Sequence, residues 1–383
     1  MSPTAATFVS PTEPASYSWE ATDEAVAARY GLPIADIVRF DLNTSPQPPE
    51  LAGRLLAAGR FETPLSEYAP SDYRRLVAAA AERYGVRTDE LLVGAGADEI
   101  LDIIGKTFVS AGGAAVIPVP TYAMYRVITE QRRARAIAVP RLDAVAGYAI
   151  DVAAVRAAAR SAQLVWLCSP NNPTALPEPD GIIETLLAGI AIDAVGDGRD
   201  VPIVVVDEAY FEFVGRSVVE LRAVHPNLIV IRTASKAYGL AGLRVGFALA
   251  RPEVIGRMNL YRPPGSVSTV SATVVTEALL DASVLEANLA RVERERDRLG
   301  TALVEAGWRV GPSVTNFLLI DLGSRERAAA VAEGLLRRGL VPRPFGTTHP
   351  LADHLRLTVR DTDGNDRLIE AVSGIESTHV TQP

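Results

Sequence analysis

Between residues 72 and 300 the chain alternates helical periods with short, almost unbroken apolar runs. AAVIPV occupies 114–119, LVWLC 164–168, IVVVDE 203–208, LIVIRT 228–233 and VGFAL 245–249. A strand with one wet face alternates apolar and polar residues. Runs that are apolar throughout need cover on both faces, which predicts a mostly parallel sheet between layers of helices. A second, smaller α/β unit follows. It comprises NFLLIDL at 316–322, a helix near 325–338, a short strand over 340–343 and HLRLTVR at 354–360. The expected division is a large domain over 46–269 and a small domain from 17–45 and 270–383. Residues 1–16, rich in Ser, Thr, Pro and Ala, read as disordered. A helix is expected over about 20–30, stopped by Gly31 and Pro33.

With 383 residues the chain can bury a large core, and its 48% hydrophobic and 22% charged content is that of an ordinary globular protein. The net charge of −8 argues against general affinity for nucleic acid or anionic membranes. RVERERDR at 291–298 reads as a solvated helix face of mixed charge. The single cysteine, Cys168, excludes an intrachain disulfide framework and reads as the buried end of a strand. The four histidines follow no zinc spacing, so no metal is expected. The N-terminal stretch lacks the basic start and long apolar core of a secretory signal, and no uncharged apolar stretch reaches membrane-spanning length. The expected location is the cytoplasm.

The run TASKAYGLAGLRVGF at 233–247 carries the chemistry. Lys236 offers an amine, and Thr233, Ser235 and Arg244 offer two hydroxyls and a guanidinium. That set suits a phosphorylated aldehyde: the amine forms a Schiff base and the others hold the phosphate. Pyridoxal 5′-phosphate (PLP) is such an aldehyde. Most lysines are solvated surface charges, so the reading depends on the rest of the chain. In sheets of this kind, functional groups lie just beyond the carboxyl ends of the strands. GAGADE at 94–99 opens a helix, where the N–H groups of Gly96, Ala97 and Asp98 can face an anion. As a dinucleotide fingerprint it fails, because the third glycine and a preceding strand of the right length are missing. SPNNPTA at 169–175 places Asn172, an amide donor, after one apolar run. DEAY at 207–210 closes another with Asp207, a carboxylate that needs a cationic partner if buried. A protonated pyridine nitrogen would be that partner, and Tyr210 can reach the ring's phenolic oxygen. Taken singly, each of these is an ordinary turn or helix cap.

Taken together, YAPSD, GAGADE, PTYAMY, SPNNPT, DEAY, TASKAYGLAGLRVG and LRLTV occur in one order between Phe40 and Arg360. The chain thereby resembles the aspartate-aminotransferase superfamily of fold type I PLP-dependent enzymes, and within it the histidinol-phosphate aminotransferases. The resemblance implies that Lys236 holds the cofactor and shuttles a proton, and that Asp207 pairs with the pyridine nitrogen. It implies that Asn172 and Tyr210 bind the phenolic oxygen and that Tyr122, in PTYAMY, stacks on the ring. The phosphate falls to the N–H groups of Ala97 and Asp98, with Gly96 beside them, and to Thr233, Ser235 and Arg244. Tyr68, in YAPSD, would reach the phosphate of the neighbouring subunit, so the site would lie at the interface of a homodimer. Arg356, with Arg343 and Tyr17, would bind the anionic group of a small-molecule amine such as L-histidinol phosphate. The amino acceptor would be 2-oxoglutarate.

The departures from the family pattern fall mainly on the substrate side. Ala175 replaces a glycine, which is tolerable if φ is negative there. The segment before the first large-domain helix is shortened to LNTSPQPPE. PGSVS at 264–268 loses an aromatic residue, and Arg360 follows LRLTV. Aromatic amino-acid transamination and threonine-phosphate decarboxylation are the enzyme alternatives. A PLP-fold binding module would not need Lys236, and a nicotinamide dehydrogenase would need the glycine fingerprint.

Overall fold

The computed structural model describes residues 21–380. After a helix at Asp23–Tyr30 and the short strand β1 (Val38–Arg39), the chain builds seven strands. These are β2 (Leu91–Gly94), β3 (Ala114–Val119), β4 (Arg135–Pro140), β5 (Leu164–Cys168), β6 (Ile203–Asp207), β7 (Leu228–Thr233) and β8 (Gly246–Leu249). They form one sheet in the order β2-β8-β7-β6-β5-β3-β4. Only β8 runs against its neighbours.

The unbroken apolar runs have a direct explanation in the packing. Val204, Val206 and Val230 belong to an apolar cluster on one face of the sheet, with the helices Arg74–Tyr84, Ile182–Gly196 and Thr269–Leu280. Val205, Ile229 and Trp166 belong to the cluster on the other face, with the helices Gly96–Phe108 and Met124–Gln131. Successive residues feed opposite cores, so polar side chains enter these strands only at their carboxyl ends, as Asp207 in β6 and Arg232 and Thr233 in β7. Each fully buried valine or isoleucine is worth roughly 1.5–3 kcal/mol, so these strands contribute heavily to the stability of the fold.

The remaining strands are β9 (Arg309–Val310), β10 (Phe317–Asp321), β11 (Leu340–Val341), β12 (Arg343–Pro344) and β13 (His354–Thr358). The last two join β10 and β9 in an antiparallel sheet, β12-β13-β10-β9, while β11 pairs with β1 in parallel. The strand expected over 340–343 is thus two strands in different sheets. Pro342, which has no N–H to give a ladder, lies where the chain changes partner. Phe40, Leu299, Leu303, Trp308 and Leu318 belong to a separate core here.

Two expectations need correction. The helix Thr269–Leu280 packs in the large-domain core, and the long helix Ala282–Glu305 begins there and ends, with Leu299 and Leu303, in the small one. The change of core therefore falls inside that helix rather than at residue 270. The mixed-charge run in the same helix is not wholly solvated. Glu295 is buried and accepts hydrogen bonds from Thr362 Oγ1 at 2.9 Å, Arg298 Nη2 at 2.9 Å and Asn365 Nδ2 at 3.1 Å. Burial alone would raise its pKa, but these bonds hold it below the ordinary carboxylate value. The strand before GAGADE, β2, is only four residues long and ends on its first glycine. Among the described residues no helix is long and apolar enough to cross a membrane.

Candidate active site

Because β3, β5, β6 and β7 are parallel, their carboxyl ends share one edge of the sheet. The loops beyond them converge on a cavity of about 270 Å³. That lies just below the usual span of small-molecule sites, about 300–1,000 Å³.

Lys236 stands three residues beyond β7, half-buried on the cavity wall. Its Nζ donates to Asn43 O at 3.2 Å and Leu42 O at 3.4 Å. Burial, together with the charges of Arg356 and Arg244, lowers its pKa to about 8 against the opposing pull of Asp98 and Asp207. At pH 7 roughly a tenth of it is free amine, against about one part in three thousand for an ordinary lysine. The chain has one other lysine, Lys106, which pairs with Asp102 at 2.6 Å and does not line the cavity.

Asp207 ends β6 and is buried. Its Oδ2 accepts from Tyr125 OH at 2.8 Å and its Oδ1 from Ala209 N at 3.0 Å. Burial raises its pKa to about 6 in spite of these bonds. Tyr125 is held flat against Trp166, with ring centroids 5.4 Å apart, and Trp166 Nε1 donates to Thr129 Oγ1 at 3.1 Å. The carboxylate is thus rigidly aimed.

A second pole gathers at the start of the helix Gly96–Phe108. Gly96 has φ +80°, and a Cβ there would lie 2.5 Å from Arg244 Nη2. A Cβ on Gly246 would lie 2.6 Å from Ala97 N. The two glycines let β8 and a guanidinium approach the helix N-terminus, where free N–H groups and the helix dipole favour an anion. Arg244 Nη2 pairs with Asp98 Oδ2 at 2.9 Å, and Tyr122 OH donates to Asp98 Oδ1 at 3.0 Å. Thr233 Oγ1 and Ser235 Oγ, 2.9 Å apart and both buried, line the same end.

The third wall comes from the small domain. Arg356, in β13, is buried. It donates from Nη1 to Asn172 Oδ1 at 2.6 Å and from Nη2 to Asp41 O. Tyr210 accepts from Asn43 Nδ2 at 3.0 Å, and burial raises the pKa of its phenol, so it stays protonated.

Lys236, Ala97, Asp98, Tyr122, Asn172, Asp207, Tyr210, Thr233, Ser235, Arg244 and Arg356 all line this one cavity, and Gly96 adjoins it. Two expected residues do not line it. Arg343 is the register partner of Arg356 in the β12–β13 pairing but does not line the cavity. Tyr68 is 92% exposed. Tyr17 lies outside the described residues. The donor set fits PLP: a nucleophilic amine, a buried carboxylate short of a cation, and an anion cradle with two hydroxyls and a guanidinium.

Residues 41–372 match the family described as aminotransferase class I and II. The chain belongs to that family. This aminotransferase is 35% identical over 361 residues to the histidinol-phosphate aminotransferase of Roseiflexus castenholzii, covering 92% of this chain and 93% of the relative. It is 34% identical to that of Symbiobacterium thermophilum, over 89% and 91% of the two chains. The crystal structure of histidinol-phosphate aminotransferase from Sinorhizobium meliloti, in complex with pyridoxal-5′-phosphate, superposes with a TM-score of 0.82. It is 27% identical, over 94% of this chain and 96% of that one. PLP is the cofactor of this aminotransferase and its fold is type I.

Sequence reasoning missed several groups in the aminotransferase site. Tyr125 stands one helical turn after Tyr122 in PTYAMY, and that spacing was the available signal. Asn43 and Asp41 belong to LNTSPQPPE and its approach, and nothing in their sequence marks them. Ala175 has φ +64°, so the negative φ under which alanine would be tolerated without strain is not met. Its N–H donates to Asn171 O at 2.8 Å and Asn171 N to Leu176 O at 2.8 Å, which close the turn in the left-handed form. Packing of its methyl group with Ala209, Tyr210 and Phe317 offsets part of that strain. Arg360 donates to Thr44 O at 3.4 Å instead of joining Arg356 in the cavity. The strand register also brings His354 opposite Asp321 and near Asp353, a grouping that histidine spacing does not reveal. Asp321 is already paired with Arg309 at 2.7 Å.

Proposed function

We propose that this aminotransferase moves the amino group of L-histidinol phosphate to 2-oxoglutarate, as a cytoplasmic homodimer whose subunits share their active sites. The observation that carries the reading is the meeting of Lys236, Asp207 and Arg356 in one cavity. The relatives at 34% and 35% identity bear the name histidinol-phosphate aminotransferase.

Bound PLP supplies an electron sink that stabilises negative charge at the substrate's Cα. Lys236 anchors the cofactor. Its Nζ, with its lowered pKa, would act as the base and acid that moves the proton at the substrate's Cα. Asp207 would pair with the pyridine nitrogen and keep it protonated. Asn172 and Tyr210 would donate to the phenolic oxygen, and Tyr122 would pack against the ring. The N–H groups of Ala97 and Asp98 would hold the phosphate with Thr233, Ser235 and Arg244, and Tyr68 would reach it from the neighbouring subunit. Arg356 grips the substrate's anion with a planar fork suited to phosphate and carboxylate alike. Arg343 and Tyr17 complete that end.

Steady-state kinetics with L-histidinol phosphate, phenylalanine, tyrosine and O-phosphothreonine test the proposal, with 2-oxoglutarate as acceptor. Histidinol phosphate should give the highest kcat/KM. A higher value for phenylalanine or tyrosine would replace this reading with aromatic transamination. Carbon dioxide release from O-phosphothreonine would replace it with decarboxylation.

A further inference from the structure

The peptide from Asp41 to Thr44 walls the active-site cavity, and its continuation from Ser45 to Leu51 walls a second one. This second cavity has a volume of about 510 Å³ and lies where the helix Glu50–Ala58 faces the helix Ala282–Glu305. No step of the transamination uses it. We propose that it binds a small organic anion with an apolar body, a carboxylate or phosphate ester, through Arg291.

Arg291 lines the cavity and is half-buried. Its guanidinium is held by neutral acceptors: Nη1 donates to Arg360 O at 3.0 Å, while Nε and Nη2 share Asn288 Oδ1 at 3.3 and 2.9 Å. Among the described residues no carboxylate lies within ion-pair distance of it. Asp361 and Glu295 act on it only from beyond that distance. A cation withdrawn from water with its charge only partly offset is costly, and an arriving anion relieves that cost. Arg360 adds a second half-buried guanidinium nearby, and it too bonds a neutral acceptor, Thr44 O. Burial lowers the pKa of both.

Of the acids on the rim, Asp361 attracts both Arg291 and Arg360 without an ion pair to either, so their charge is only partly offset. Asp281 caps the helix Ala282–Glu305, accepting from Ser283 N at 3.1 Å and Ser283 Oγ at 2.6 Å. Asp361 accepts from Gly364 N at 3.1 Å at the start of the last helix. Glu50 is exposed and lies 3.8 Å from Arg54. Opposite these groups, Pro46, Leu51, Val284 and Ala287 give the cavity an apolar wall. A guanidinium at one side and an apolar wall at the other select an anion that carries a hydrocarbon or aromatic body.

Benzoate is a suitable probe, titrated into the PLP-loaded full chain and followed by ligand-observed NMR and calorimetry. Arg356 also attracts carboxylates, so Arg356→Ala enzyme is titrated in parallel. Saturable binding should persist in Arg356→Ala. It should weaken by about ten- to a hundred-fold in Arg291→Gln, the range for loss of a charge-assisted contact. Ala287→Phe, a change at an exposed position that fills the cavity, should weaken it as much. Both variants should keep wild-type turnover. The proposal is overturned if wild-type enzyme shows no saturable binding, if Arg356→Ala abolishes it, or if Arg291→Gln and Ala287→Phe bind benzoate as wild type does. None of these outcomes depends on which amine the enzyme uses.

Discussion

Arg356 Nη1 donates to Asn172 Oδ1 at 2.6 Å, joining the small domain to the loop beyond β5. A guanidinium has donors only, so Asn172 must present its oxygen to Arg356. Its amide nitrogen is thereby turned toward the cavity, as a donor. One residue can thus grip the substrate's anion and set the direction of a hydrogen bond to the cofactor.

Removing Arg356 should therefore weaken both substrates. In Arg356→Ala, KM for histidinol phosphate and for 2-oxoglutarate should each rise about ten- to a hundred-fold, for a loss of roughly 1.5–3 kcal/mol. Because Asn172 loses its orienting partner, the visible absorption of the bound cofactor should also titrate at a different pH. Unchanged KM values would remove Arg356 from the substrate site.

Asp207 supports a prediction about stability. Its pKa is raised on folding, from 3.8 to about 6, so the native state holds this proton more tightly than the unfolded chain. Stability of the cofactor-free protein should fall as pH rises through this window and stay lowered above it, by about 2–3 kcal/mol. Asparagine carries no such cost. Cofactor-free Asp207→Asn should thus be more stable than wild type at neutral pH in denaturant unfolding, with the gap closing toward about pH 4. With PLP bound the order should reverse, because the pyridine nitrogen then pairs with the carboxylate, and the variant should transaminate poorly. Equal stability of the two cofactor-free proteins at neutral pH would contradict the assignment.

Tyr68 is almost fully exposed on a single chain, which suits a residue that acts across a subunit interface. Lys236→Ala and Tyr68→Phe enzymes should each be impaired. Mixed dimers should recover activity, because one of their two sites then has both residues intact. A fully active monomer by light scattering would refute the shared site.

The sheet was legible because its strands are buried on both faces. Val204, Val205 and Val206 feed two different cores, and that leaves an unbroken apolar signature. The edge strand β4 carries no such signature, and β2, though apolar and buried on both faces, is only four residues long; neither was anticipated. Lys236, Asp207 and Asn172 were legible because each stands within a few residues of a strand end. Asn43, 167 positions from Tyr210 in the chain, meets it only through folding, and no local pattern announces such a contact. Glu295 was misjudged for the same reason, since Thr362 and Asn365 approach it from a different helix.

The attachment of the cofactor to Lys236 is the claim on which the other roles rest. The chain has just two lysines, so reduction of the PLP-loaded enzyme with borohydride, followed by peptide mapping, gives a nearly binary answer. The cofactor should be fixed on the peptide containing Lys236, and Lys236→Ala should carry none and lose turnover by many orders of magnitude. Label on the peptide containing Lys106, or a Lys236→Ala enzyme with wild-type turnover, would contradict the account.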